Sequence, residues 1–155
     1  MFKLLPIKTT QHESSSSTVF EHTGLTVDNV FIFIAESFQQ EFLKTHNAYR
    51  AKHSAPALKL NAELNASAQS WANHLLATGT LQHSDTKDGE NIFTVFSSAS
   101  LKLTGHFTQV VWKDTTEVGV GMASSGNRAF VVGQYRKPGN MAMPGYFEKN
   151  VLPLV

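Results

Sequence analysis

Two imidazoles and one carboxylate, His83, Glu90 and His106, are the side chains of this 155-residue sequence best suited to chemistry. Two histidines and an acid form a donor set for zinc or another divalent ion that leaves one coordination position open for water. Six residues separate His83 from Glu90 and fifteen separate Glu90 from His106, so no single helix presents all three and folding must gather them. Spacing alone leaves the matter open, because scattered His and Glu are commonplace. His106 also heads a short apolar run, Gly105-His106-Phe107-Thr108-Gln109-Val110-Val111-Trp112, whose large ring Trp112 can anchor in a core. An ionisable group fixed beside buried surface has its protonation and ligand choice set by that surface.

Other chemistries find little footing. No Gly-x-Ser-x-Gly elbow is present, and Ser84 adjoins His83 in sequence, which is not how a nucleophile and its base usually meet. His-Glu-x-x-His, a phosphate loop and a dinucleotide fingerprint are missing, and Val118-Gly119-Val120-Gly121 reads as a close-packed strand. An acid/base pair made of Glu90 and a histidine is the one hydrolytic alternative, a metal-dependent hydrolase using His83, Glu90 and His106.

Several elements must position these groups. From Ser37 the pattern turns helical, with Phe38, Phe42, Thr45 or His46, Tyr49 and His53 on one face, Ser37 and Gln40 imitating a capping box, and Pro56 as the stop. His46, Asn47 and Arg50 then lie on adjacent faces, as polar groups that satisfy backbone at a helix junction. A second helix is predicted over Ala62 to Thr78, capped by Asn61 and stopped by Gly79, with Leu64, Ala68, Trp71 and Leu75 as its stripe and His74 just off it. Ile92 to Phe96 reads as a short strand, Ser97 to Leu103 as a polar bridge and His106 to Lys113 as a short helix. Glu117 to Ala123 and Ala129 to Tyr135 make an antiparallel hairpin, its first strand nearly bare of side chains on the glycine face.

Composition narrows the classes. A chain of this length can bury a core without staples, and 41% apolar with 16% charged residues suits neither disorder nor a membrane span. A net charge of +1 and no Lys/Arg run argue against nucleic acid as a partner. With no cysteine, disulfides, thiolate nucleophiles and Cys-ligated metals are excluded. Met1 to Gly24 reads as a polar, flexible lead-in. Val30 to Ala35 comes too late for a signal peptide and is too short to cross a bilayer, which takes about 20 apolar residues. It reads as a buried helix or strand extension, with an interfacial membrane anchor as the alternative.

The Gly105 to Trp112 run resembles the signature of the CAP superfamily, the cysteine-rich secretory, antigen 5 and pathogenesis-related 1 proteins. Three further stretches match that family in order: His46 to Arg50, Gly89-Glu90-Asn91, and Phe130 to Met141 (FVVGQYRKPGNM), which contains Asn140. The closing Gly145 to Pro153 is similar to the Golgi-associated branch. The resemblance implies an α+β fold, an α-β-α sandwich with a short antiparallel sheet between helices, over residues 37–155, with 1–36 as an extension. It implies that His46, Asn47 and Arg50 tie their helix to neighbouring loops, and that His83, Glu90 and His106 are three of four cleft residues.

The fourth, a Glu on a helix carrying Trp-Tyr-x-Glu, has no counterpart. The interval Ile92 to Thr104 is short and holds no acidic residue, so one family helix is expected to be missing. Loss of such an orienting carboxylate lowers metal affinity about 10 to 100-fold. The expectation is therefore a non-enzymatic binding module that contacts lipid or sterol, a membrane surface or a protein partner, with weak zinc at most and a homodimer possible. A degenerate isoform without independent activity is the further alternative. The lack of cysteine favours the intracellular branch. That branch begins Met-Gly for myristoylation, and Phe2 does not allow it for this start, so a cytoplasmic or Golgi-peripheral location is expected, with an extracellular one as the alternative.

Overall fold

A computed structural model of the chain describes residues 27–95 and 104–155, with side chains from 35 to 94 and from 106 to 155. The elements run α1 (Val27–Lys52), β1 (Lys59–Leu60), α2 (Ala62–Thr78), β2 (Gly89–Val95), α3 (Thr104–Val111), β3 (Glu117–Ser125), β4 (Arg128–Arg136) and α4 (Tyr146–Asn150). The chain divides into two units, Met1–Ala35 and Glu36–Val155, and the second carries everything that follows. The expectations for Met1 to Gly24 and for Ser97 to Leu103 lie outside the described residues. Val30 to Ala35 belongs to α1 by its backbone.

The sheet has the order β1-β3-β4-β2. β4 pairs antiparallel with both β3 and β2, whereas the two-residue β1 pairs parallel with β3, so the sheet is mixed rather than purely antiparallel. Helix α2 lies on one face. Its Asn61 cap accepts from Leu64 N (3.1 Å), and Gly79, at φ 68°, closes it by donating to Leu75 O (2.8 Å). Both ends are thus written locally in the chain.

The glycine face of β3 receives this helix at backbone distance. A Cβ on Gly119 would stand 2.2 Å from the Leu64 carbonyl carbon, and one on Gly121 would stand 2.2 Å from Gln69 N. Side-chain amides of α2 stitch the contact. Asn65 Oδ1 accepts from Val120 N (2.9 Å), its Nδ2 donates to Gln39 Oε1 (3.2 Å), and Gln69 bonds the Met122 backbone in both directions. Around this seam Ala68, Ala72, Leu75, Ile92, Ala123, Phe130 and Val132 form the main core.

Helix α1 covers the other face, where Gly133 leaves room for the Phe42 ring and Leu43 packs near Val118 and Tyr135. It begins ten residues before Ser37, which is therefore not its cap. The expected stripe also rotates, with Tyr49 48% exposed and Arg50 completely buried in its place. Arg50 wins the inward position because its guanidinium meets carbonyls there. It donates to Pro56 O (2.7 Å), Val110 O (3.0 Å), Trp112 O (2.8 Å) and Thr115 O (2.9 Å). Asn47 bonds the Leu58 N–H and carbonyl, and Trp112 is buried edge-on against Phe147 of α4.

His46 sits buried between α1 and β4. Its Nδ1 donates to Phe42 O (2.9 Å), which leaves Nε2 to accept from the Tyr135 hydroxyl (2.8 Å). Burial, opposed by the Phe42 bond and reinforced by the Arg50 charge, pushes its pKa down from 6.5 to about 4. The folded state therefore prefers neutral His46. Its contribution is fully present above about 6.5 and is lost as pH falls through about 4, an acid-labile increment of about 3 kcal/mol. His46→Gln keeps an acceptor for Tyr135 and does not titrate. Urea unfolding from pH 7 to 4 is expected to show a shallower acid loss in that variant than in the wild type. Parallel pH profiles would refute this assignment.

Candidate functional site

The chain leaves α2 at Gly79 and returns along the sheet to β2. Trp71, whose ring stacks on His74, holds this return by donating Nε1 to Gln82 O (3.1 Å). His83 and Ser84 then arrive at Glu90, which β2 places opposite Gln134 of β4. The Glu90 carboxylate is 4% exposed and accepts four hydrogen bonds. Oε1 takes His83 Nδ1 (2.8 Å) and Ser84 N (2.9 Å), and Oε2 takes Ser84 Oγ (2.6 Å) and Gln134 Nε2 (3.1 Å). The Gln134 amide serves this purpose at the expense of its own carbonyl oxygen, which is buried without a partner.

Burial works to raise the Glu90 pKa, but the Ser84, Gln134 and His83 bonds outweigh it and hold the acid below its ordinary value. Glu90 is thus a fixed anion at neutral pH. The Nδ1 donation from His83 fixes the orientation of that exposed ring against the anion.

His106 stands in the first turn of α3, half-buried. Desolvation, and then the nearby His83 charge, lower its pKa, so the ring is neutral at pH 7 and both histidines act within one neighbourhood. His83 thus meets Glu90, and the His106 carbonyl is held by Asn91, the next residue of β2.

Their chemistry differs from a three-donor set. Zinc sites use three or four protein ligands. Among the described residues, no group of three or more His, Cys, Asp or Glu is arranged to hold a metal. Glu90 spends its acceptor positions on four donors of the protein itself and orients His83. Two imidazoles remain, and they do not fit a resident zinc.

Sequence reasoning weighed Ser84 only as a nucleophile and did not single out Gln134. Gln134 lies inside the quoted FVVGQYRKPGNM stretch, and its alternation with Val132 toward α2 was the available signal. Asn140 of the same stretch adopts φ 56° and accepts from the Thr108 hydroxyl, fastening α3 to the segment after β4.

A four-stranded sheet sandwiched by helices, with a histidine–carboxylate pair at one edge strand, defines a CAP-type domain. The chain belongs to the cysteine-rich secretory protein family, whose model matches residues 43–135. It is similar to the human Golgi-associated plant pathogenesis-related protein 1, 37% identical over 146 residues, covering 77% of this chain and 95% of that protein. A probable pathogenesis-related protein of Candida albicans is 31% identical over 143 residues, covering 79% and 70% respectively. The solved structure of BmVAL-1 superposes with a TM-score of 0.56 at 20% identity, covering 76% of this chain and 82% of that one. That of NaASP2 with Zn2+ also gives 0.56, at 23% identity, covering 75% and 85%. At such identities the structural likeness speaks for the fold alone.

Proposed function

We propose that this chain is a non-enzymatic CAP-type binding module, whose cleft and surfaces contact lipid or sterol at a membrane surface, or a protein partner. The observation that carries this reading is the saturated Glu90. A general base needs a lone pair directed at its substrate, and both oxygens of this carboxylate are already spent on the protein's own donors. A catalytic carboxyl also works best with a pKa near the operating pH, whereas Glu90 is held low. Support for contact with an apolar partner comes from Met141, Met143, Tyr146 and Phe147, which are exposed together between Asn140 and Asn150.

His83 and His106 would take zinc only weakly, as a two-imidazole pair. A peripheral Golgi location fits this module. Similarity to the human Golgi-associated relative supports it, as does the finding that no described helix is long and apolar enough to cross a membrane.

Thermal unfolding with added zinc tests the reading. The wild type is expected to unfold cooperatively, which a degenerate isoform would not do, and to gain stability only at high zinc, with His83→Ala gaining none. Cosedimentation with sterol-containing phosphatidylcholine vesicles checks the membrane arm. Metal-dependent turnover of any ester or peptide that His106→Ala abolishes would sink the non-enzymatic assignment.

A further inference from the structure

Helix α3 carries His106 and buries Val111, and polar side chains of other elements bond to it at several points along its length. Arg50 binds its C-terminal end through Val110 O and Trp112 O. Gln109 fixes its middle by donating to the Thr115 hydroxyl (3.2 Å) and accepting from Gly139 N (2.8 Å). Its first turn is tied by Asn91, whose Nδ2 donates to His106 O (3.0 Å).

The same Nδ2 donates its second hydrogen to the Tyr135 hydroxyl (3.2 Å). That hydroxyl can accept from Asn91 because its own hydrogen goes to His46 Nε2. His46 Nε2 can accept because Nδ1 is committed to Phe42 O. Each bond in the series fixes the direction of the next, and both amide hydrogens of Asn91 are thereby assigned. Consecutive strand residues point to opposite faces. Glu90 therefore holds the His83 ring from one face of β2 while Asn91 holds the His106 carbonyl from the other, and one dipeptide anchors both histidine segments.

We infer that Asn91 is the positioning residue of the cleft, with Tyr135 and His46 acting on His106 through it. This rests on the reading of His83 and His106 as one binding site. Disturbing α1 at His46 therefore moves a cleft residue it does not touch.

The test follows the imidazole signals of the full chain in long-range 1H–15N spectra. Asn91→Ala is expected to displace the His106 ring signals and leave those of His74, stacked on Trp71, in place. Tyr135→Phe is expected to displace the same His106 signals. The double variant should move them no further than Asn91→Ala alone, since both break one series. Added zinc should bind Asn91→Ala measurably more weakly than the wild type, since the backbone anchor of the His106 turn is gone.

His106 signals that stay at their wild-type positions in both variants, whatever the loss in Tm, would overturn the inference and leave a purely structural bond. Should Asn91→Ala not fold, Tyr135→Phe decides by the same criterion. Should the wild type take up no zinc, the cleft reading fails, while the ring signals still decide the role of Asn91.

Discussion

Arg50→Met is expected to lower the stability of this protein by about 4 kcal/mol, among the largest single-residue effects available to it. Four carbonyls converge on the guanidinium, and methionine would take its donor from every one, with only Trp112 O keeping a second bond, from Thr115 N. Among the described residues no carboxylate pairs with this buried cation. What compensates it is carbonyl dipoles, two of them at the C-terminal end of α3, where unsatisfied C=O groups carry partial negative charge. Desolvation pushes its pKa down to about 10, so it remains charged at neutral pH. Arg50→Lys should recover little, since an ammonium has three donors and no planar fork. Thermal unfolding measures the effect, expected as a Tm drop of about 10 °C or more for a chain of this size. A loss under about 1 kcal/mol in Arg50→Met would show that water or a local shift satisfies those carbonyls, and that the residue is no hub.

Gly119→Ala and Gly121→Ala should each cost about 3 kcal/mol or more, through overpacking. The added methyl has nowhere to go. The nearest atoms in both cases belong to the α2 backbone, which cannot rotate aside as a side chain can. The helix must lift off β3, stretching the Asn65 and Gln69 bonds that hold it. Gly126→Ala is the comparison, because that hairpin glycine meets nothing within 4 Å and has only its φ of 59° to strain, worth about 1 kcal/mol. Equal midpoints for Gly119→Ala and Gly126→Ala would mean that the helix–strand seam yields easily, against the geometry described above.

What the chain disclosed about itself follows the range of the interactions involved. Helix α2 was legible from cap to cap, since Asn61 and Gly79 act on residues three or four positions away. The same logic misplaced the start of α1. Ser37 and Gln40 have the form of a capping box, but a helix already propagating from Val27 has no reason to restart there. The two-residue β1 went unseen because it exists through its pairing with Glu117 and Val118, far along the chain. Tyr49 and Arg50 exchanged places for a similar reason, as the carbonyls that draw Arg50 inward lie up to 65 residues away.

At the cleft, residue types were visible and their roles were not. His83, Glu90 and His106 stood out as donors, yet Glu90 became an orienter through Gln134, 44 positions distant. Sequence spacing carries no trace of that bond.

Asn65 bears one more consequence. With Ala66 and Ser67 it spells the Asn-x-Ser pattern of an N-glycan acceptor. In the folded chain that amide is committed at both ends, to Gln39 and to the β3 backbone at Val120. A sugar attached to Nδ2 before folding would hold α2 away from the strand it must cover. Glycosylation at this position and the native packing of α2 therefore exclude one another.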